Sequence, residues 1–195
     1  MDEGTEKILL EQIRQGNDRA FEQLVQGHAS QILSLAYRLV GDRSEAEDIV
    51  QEAFLRLHRS LASFRGDSKI STWLYRTVSR LAIDHLRREK RRRTLFFFRR
   101  GDDEEQPDPL DSAATPDPSP RDELLARETQ GRLNAVLKKL SPRQRAVFIL
   151  RHQEELPLKK IAQILGLEEG TVKAHLHRAV TTLRHELHDL KEGSP

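Results

Sequence analysis

The sequence predicts an all-α protein with two helical domains joined by a flexible acidic, Pro-rich linker. Apolar residues recur at helical spacing along most of the chain, and no stretch alternates apolar and polar residues as a half-buried strand does. Aromatic residues make up 5% of the chain and charged residues 33%, which suits helices better than sheets. Residues 94–121 lack periodicity and are rich in Pro, Asp and Glu, so we assign them as the linker between domains at 1–93 and 122–195.

Charge is segregated along the chain, although the formal net charge is only +2. The net charge is −4 over residues 1–64, +9 over 65–100, −8 over 101–123 and +5 over 124–195. Two basic blocks separated by an acidic spacer indicate two contacts with one polyanion, which would repel the spacer.

The composition also limits the class of protein. The chain has no cysteine, which excludes disulfides and thiolate chemistry and fits a cytoplasmic protein. Neither a signal-peptide pattern nor an apolar run of about 20 residues occurs, so we expect no membrane span. No phosphate-binding loop or nucleophile-elbow motif is present, and His185 and His188 are three residues apart, one short of a zinc-protease motif. We therefore expect no enzyme, no cofactor and no metal site.

The first domain begins with helical segments whose ends have recognisable signals. Asn17 or Asp18 is the expected N-cap of the second segment, and Gly41 is its expected C-terminal stop. Ser44 and Glu47 have the spacing of a capping box, which predicts that a third helix starts there.

The third helix has a complete apolar face and a contrasting outward face. Its apolar residues recur from Ala46 to Leu57 at helical spacing. The residues turned outward are Asp48, Gln51, Glu52 and Leu55. An acidic and polar strip that contains a large apolar residue suits a docking surface for a protein partner. The alternative is an ordinary solvated face with one surface leucine.

The fourth helix combines aromatic and basic residues. It follows a loop, and Ser68 or Ser71 is its expected N-cap. Its first half carries Trp73 and Tyr75, and its second half carries a basic run from Arg87 to Arg93. Rings that stack on bases, beside cations that follow the backbone, suit single-stranded nucleic acid. The alternatives are core packing for Trp73 and a solvated tail for the basic run.

Phe96–Phe98, at the start of the linker, leave three alternatives open: packing on the first domain, docking a partner or touching a membrane surface. Beyond the linker, a helix is expected from residue 122 to residue 140. Ser141 followed by Pro142 then predicts the N-cap and first position of a further helix.

The last part of the chain predicts a helix-turn-helix. Two short amphipathic patterns flank Gly166, which is suited to end the first helix in a left-handed conformation. Helical spacing turns one set of residues of the second pattern outward: Lys173, Ala174, His177, Arg178 and Thr181. This face is cationic and narrow, so it suits the major groove of DNA. The alternative is a plain helical hairpin with a solvated basic face.

Three motifs in this order and spacing strongly resemble the bacterial RNA polymerase sigma-70 family. They are DIVQEAFLRLHRSL, then SFRGDSKISTWLYR, then LSPRQRAVFILRHQEELPLKKIAQILGLEEGTVKAHLHRA. The short two-domain form is similar to the extracytoplasmic-function (ECF) group. The resemblance implies a factor that binds core RNA polymerase, directs it to promoters and is held by an anti-sigma protein. A helix-turn-helix regulator that acts without the polymerase is the alternative, but it leaves the first domain unexplained.

The resemblance also implies roles for individual residues. Core-polymerase docking falls on Asp48, Gln51, Glu52 and Leu55. Recognition and melting of the −10 element fall on Phe64, Arg65, Gly66, Asp67, Ser68, Trp73, Tyr75, Arg76, Arg80, Arg87, Arg88 and Arg91. Recognition of the −35 element falls on Arg151, Thr171, Lys173, Ala174, His177 and Arg178. The chain departs from the family at Arg80, where Asn is common, and at His175 and His177, where an Arg or aromatic pair is frequent, so the preferred bases do not transfer.

Overall fold

The computed structural model describes residues 3–61, 69–99 and 135–192, and within these ranges every regular element is an α-helix. The predicted all-α class is therefore confirmed. Nearly all of the predicted linker and the loop at residues 62–68 lie outside the described residues, as do residues 122–134 of the helix predicted before Ser141.

Four helices form the N-terminal part of the described chain. They are α1 (Glu3–Arg14), α2 (Asp18–Val40), α3 (Arg43–Leu61) and α4 (Ile70–Arg99). Residues 135–139 are also helical, and three further helices follow them, namely α5 (Pro142–His152), α6 (Leu158–Leu165) and α7 (Glu169–Glu192). The chain divides into two compact units, the first within residues 1–84 and 162–167 and the second within residues 85–161 and 168–195, so α4 and α6 each contribute residues to both.

The first unit is built around the α2–α3 hairpin. Gly41 ends α2 in the left-handed conformation, with φ of 82°, and its N–H donates to the Tyr37 carbonyl oxygen at 2.7 Å, as the sequence predicts. The apolar faces of α2, α3 and α4 supply fully buried side chains, among them Leu24, Leu35, Leu57 and Leu74. Each contributes roughly 1.5–3 kcal/mol of transfer free energy, so this shared core stabilises the unit.

The start of α3 differs from the prediction. The Oδ1 atom of Asp42 accepts a hydrogen bond from the Glu45 N–H at 2.9 Å, so Asp42 caps the helix. Ser44 lies inside the helix and is exposed, and Glu47 pairs with Arg43 instead of reaching back to a cap. The predicted capping box of Ser44 and Glu47 is therefore wrong by two positions, because an aspartate two residues earlier already provides the acceptor.

The ends of α2 and α4 also correct the predictions from local sequence. Asn17 occupies the N-cap of α2, as expected, but its side chain makes no capping hydrogen bond. Ser71 lies inside α4, whose first amide, that of Ile70, donates instead to the Glu6 carboxylate of α1 at 2.9 Å. Ser71 is thus wrong as a cap, and Ser68 is outside the described residues. Helix α4 also runs to Arg99, past the expected start of the linker at residue 94.

The second unit has its own apolar core and a well-defined helix start. Val136, Leu137 and Leu140 pack with Ala179 and Leu183 of α7. At the start of α5, the Ser141 hydroxyl accepts from the Gln144 N–H at 3.4 Å, and the Gln144 side chain accepts from the Ser141 N–H at 2.9 Å. This reciprocal pair confirms the cap predicted at Ser141 and extends it to a full capping box.

The predicted helix-turn-helix is confirmed in the C-terminal part. Helix α6 ends at Leu165, and Gly166 follows with φ of 63°, a conformation that favours glycine. The Leu167 N–H then donates to the Ala162 carbonyl oxygen at 3.0 Å, and α7 begins two residues later at Glu169.

Candidate protein and nucleic-acid interfaces

The outward strip of α3 faces solvent as predicted. We call the set Asp48, Gln51, Glu52 and Leu55 the α3 strip. Asp48 and Gln51 are exposed, and Leu55 leaves 47% of its surface accessible although it is a large apolar residue. The Glu52 carboxylate is half-buried and accepts from Arg56 Nε at 2.7 Å, which orients it along the helix. The strip therefore combines an accessible apolar side chain with oriented negative charge.

An aromatic and basic surface runs along the first half of α4. Trp73, Arg76 and Arg80 lie on one side of the helix because each residue advances it by about 100°. Trp73 is half-buried and both arginines are exposed, while Leu74 and Val78 are fully buried on the opposite side. A half-buried ring is restricted in position but keeps part of its surface accessible, which suits stacking against a base.

Tyr75 is in a different environment from Trp73. Its side chain is only 7% exposed, and its hydroxyl accepts a hydrogen bond from Gln31 Nε2 of α2 at 3.0 Å. A ring enclosed in this way cannot stack on a base. The structure therefore favours a packing role for Tyr75 over the direct DNA contact that the resemblance implies.

The second half of α4 carries the basic run. Arg88 and Arg91 are exposed and Arg87 is half-buried, with Arg91 Nε donating to the Arg87 carbonyl oxygen at 3.3 Å. Arg93 pairs with Glu89 one turn earlier. The remaining residues expected to contact the −10 element, Phe64, Arg65, Gly66, Asp67 and Ser68, lie outside the described residues, as do the side chains of Phe96–Phe98.

The outward face of α7 is confirmed as a continuous exposed surface. Every residue expected there is exposed, namely Thr171, Lys173, Ala174, His177, Arg178 and Thr181. Lys173 Nζ lies 3.2 Å from a Glu169 carboxylate oxygen, an exposed pair that an anionic ligand can break at little cost. Thr171 is in the first turn, where free amides and the helix dipole favour an anion. We call the six exposed residues, Thr171, Lys173, Ala174, His177, Arg178 and Thr181, the α7 face.

The two histidines that distinguish this helix differ in exposure, as their spacing predicts. His177 is exposed, whereas His175 is half-buried. Burial lowers the pKa of His175 from its ordinary value of 6.5, and the positive charges of Arg178 and Arg143 lower it further. His175 is therefore mainly neutral at pH 7 and adds no positive charge to the α7 face.

Arg151, at the end of α5, is exposed, and its Nη1 donates to the Leu156 carbonyl oxygen at 3.1 Å. It thus stabilises the turn between α5 and α6 while its remaining donors stay available.

Two interactions that position helices were not predicted from the sequence. The Asp42 cap was detectable because an acidic residue, Glu45, follows it by three positions, whereas the contact between Glu6 and Ile70 joins residues too distant for a local pattern.

The described part of the chain contains neither a cluster of metal-binding side chains nor a candidate membrane span. Among the described residues, His, Asp and Glu side chains form no group of three or more that could bind a metal ion. No helix within those residues is both long enough and apolar enough to cross a membrane.

An exposed cationic helix that follows a tight turn, together with a separate aromatic and basic helix, is typical of a DNA-binding protein. Comparison with known families agrees. The model for sigma-70 region 2 matches residues 24–92, and the model for sigma-70 region 4 matches residues 130–183. The chain belongs to the extracytoplasmic-function group of the sigma-70 family.

Individual relatives match over nearly the whole chain. The ECF RNA polymerase sigma factor SigW of Bacillus subtilis is 34% identical over 185 residues, which cover 94% of this chain and 97% of that protein. The RNA polymerase sigma-H factor of Pseudomonas aeruginosa is 34% identical over 172 residues, with 88% of each chain covered. Among solved structures, CnrH in complex with the cytosolic domain of CnrY has a TM-score of 0.63 and 25% identity, and the match covers 97% of this chain and 99% of that one.

The protein is therefore a sigma factor, which directs RNA polymerase to promoters and is a recognition subunit, not an enzyme. The alternative of a helix-turn-helix regulator that acts without the polymerase is not favoured, because it would not account for the region 2 match over residues 24–92.

Proposed function

We propose that three surfaces on three helices divide the work of promoter recognition. The α3 strip docks on core RNA polymerase, the aromatic and basic surface of α4 engages the −10 element, and the α7 face reads the −35 element. One observation supports this division. Apart from Tyr75, every described residue predicted to contact polymerase or DNA is exposed or half-buried, opposite the buried face of its helix.

Docking on core polymerase would depend mainly on Leu55. Burying an accessible leucine at the centre of an interface contributes more than exposed ion pairs do, and surrounding polar groups supply specificity. Asp48 and Glu52 make the rim acidic, so the complementary surface on the polymerase is basic around an apolar pocket.

Engagement of the −10 element would combine stacking and charge. A base that leaves the duplex can stack on Trp73, a contact worth about 1–3 kcal/mol. Arg76 and Arg80, on the same side of α4, would hold the adjacent phosphates, and Arg87, Arg88 and Arg91 would extend this contact along the backbone. Residues 64–68 resemble the loop that captures the flipped base, and they belong to this proposal by resemblance alone.

Recognition of the −35 element would use the α7 face in the major groove. Arg178 and Lys173 carry donors suited to guanine, and the small side chain of Ala174 allows close approach between them. Thr171 and the free amides of the first turn would hold a phosphate. His177 replaces the usual residue at the centre of this face and would alter the preferred base, while Arg151 would contact the flanking backbone.

We place this activity in the cytoplasm, where core polymerase acts, and propose an anti-sigma protein as a further partner. The family resemblance implies such a partner, and CnrH, which is similar over 97% of this chain, was solved bound to the cytosolic domain of another protein.

The division of work can be tested by transcription with purified core polymerase and a promoter library. Unaltered protein should produce specific transcripts. The double substitution Arg76→Ala and Arg80→Ala should reduce promoter opening while leaving core affinity intact. Arg19→Ala, which removes an exposed arginine from α2, is the matched control and should have no effect. Unchanged opening in the double variant would reject the role given to this surface of α4.

A further inference from the structure

One carboxylate in the first unit connects three helices. Glu6 of α1 accepts a hydrogen bond through Oε1 from the Ile70 N–H, the first amide of α4, at 2.9 Å. Its other oxygen, Oε2, lies 3.6 Å from Nε2 of His28 in α2. The Glu6 side chain is 13% exposed and the His28 side chain is 5% exposed, so the cluster is largely shielded from water. Shielding strengthens the hydrogen bond between Glu6 and Ile70 compared with one at the surface.

The first amide of α4 takes its acceptor from another helix. The carbonyl of Lys69 accepts the first helical hydrogen bond, from Trp73 N–H at 3.2 Å, which makes Lys69 the N-cap residue. A lysine side chain has no acceptor atom, and Ser71 is already inside the helix. The Glu6 carboxylate supplies the acceptor for the Ile70 N–H from outside α4. Its negative charge also lies at the positive end of the helix dipole.

The environment of His28 favours this arrangement. The side chain is buried, and burial lowers its pKa more than the Glu6 charge raises it. A neutral imidazole beside the carboxylate fills the space behind Glu6 without competing for Oε1. The carboxylate thus remains available to Ile70.

The capped turn is the one from which the proposed −10 contacts project. Ile70 is fully buried, and Trp73 and Arg76 follow it at three and six residues. If the first turn of α4 loses its cap, it frays, and Trp73 is the first of the proposed contact residues to move. Core docking and −35 contacts lie on other helices and do not depend on this turn.

We infer that Glu6 is a positioning residue for −10 recognition, and that α1 acts as a strap holding the first turn of α4. The inference rests on the proposed −10 role of α4. The region 2 match begins at residue 24, so α1 lies outside it. The inference assigns a function in promoter opening to this N-terminal helix.

The test uses holoenzyme assembled from the full chain and core polymerase. The probe is a fluorescent single-stranded oligonucleotide carrying the non-template −10 sequence of a promoter that the holoenzyme uses. Glu6→Ala should weaken probe binding by about tenfold, the loss expected for removing a helix cap. Glu6→Gln, which keeps a neutral acceptor for Ile70, should restore binding to within about threefold of the original. Glu11→Ala, on the exposed side of α1, is the control and should be unchanged.

Core affinity and binding to duplex −35 DNA are measured on the same proteins. These two measurements distinguish a loss of positioning at the first turn of α4 from a general loss of folding. They should stay unchanged in Glu6→Ala, and a parallel loss in all three assays would overturn the inference. Equal probe binding by Glu6→Ala and the original chain would overturn it as well. If Glu6→Ala does not fold, Glu6→Asp replaces it, because it keeps the charge but is shorter by one methylene, and the same losses are expected. Failure of the unaltered holoenzyme to bind the probe would instead reject the proposed −10 role itself.

Discussion

Helices α3 and α7 have similar buried faces, but their outward faces carry opposite charge. Both bury small and branched apolar residues at helical spacing, such as Ala53 and Leu57 in α3 and Val172 and Ala179 in α7. Outward, α3 presents acidic and polar groups around an exposed leucine, whereas α7 presents cations around an exposed alanine. The buried residues of each helix thus account for the fold, and the outward residues carry the proposed difference between binding a protein partner and binding DNA.

The largest effect is expected on the α3 strip. Leu55→Asp places a charge at the centre of the proposed interface and should reduce core affinity by at least about a hundredfold. The fold should persist because Leu55 is 47% exposed. Fluorescence anisotropy with labelled protein and core polymerase measures the affinity. Ile8→Asp, at an apolar residue of α1 that is 61% exposed, is the matched control and should bind normally. Retained core affinity in Leu55→Asp would show that the strip is an ordinary solvated face.

The next largest effect is expected on the α7 face. Arg178→Ala should cost about 1–3 kcal/mol at −35 sites that use a guanine contact there, which is roughly a 5- to 150-fold loss of affinity. Competition binding to duplex −35 variants measures it. Lys139→Ala removes an exposed cation that precedes α5 and lies outside α7, so the sequence preference of that variant should not change. An unchanged preference in Arg178→Ala would contradict direct base recognition by this residue.

A smaller effect compares two helix starts. Asp42→Ala removes the acceptor that caps α3 and should lower the free energy of unfolding of the first unit by about 1 kcal/mol. Ser44→Ala should change it by no more than a few tenths of a kcal/mol, because that serine is exposed inside the helix. Urea unfolding followed by fluorescence of Trp73, the single tryptophan of the chain, reports on this unit. A larger loss for Ser44→Ala than for Asp42→Ala would reverse the assignment of the cap.

The smallest effect is a pH dependence of the first unit. Burial lowers the pKa of His28 below its ordinary value of 6.5, although the charge of Glu6 acts in the opposite direction. The unfolded chain therefore takes up a proton at a higher pH than the folded chain does. The free energy of unfolding therefore has its full value above about pH 6.5, where His28 is neutral in both states. It decreases as the pH falls below that value, because the unfolded chain binds the proton more readily. Urea midpoints between pH 7.5 and 5.5 should show this decline, and His28→Gln should reduce it. A midpoint that rises on acidification would contradict the assigned direction.

The sequence was sufficient for features that depend on short-range patterns. The buried face of α3, the left-handed glycines at positions 41 and 166 and the Ser141 cap all follow from the spacing of a few residues. Features formed by residues distant in sequence were not predictable in this way. Examples are the Glu6 cap on α4, the hydrogen bond from Gln31 to Tyr75 and the resulting burial of that ring.

The sequence was sufficient to predict which faces are exposed. It was not sufficient to predict the roles of the residues on those faces. Helical spacing turns Leu55 and Arg178 away from the core whatever they bind, and the three sigma-family motifs supplied the assignments. His175 illustrates the limit, because its half-buried position and lowered pKa depend on arginines of two helices.

The most direct test of the account is a map of transcript start points made with core polymerase, genomic DNA and the purified chain. The account predicts start points that appear only when the chain is added, disappear with Leu55→Asp and change in sequence preference with Arg178→Ala. A set of start points identical to that of core polymerase alone would contradict it.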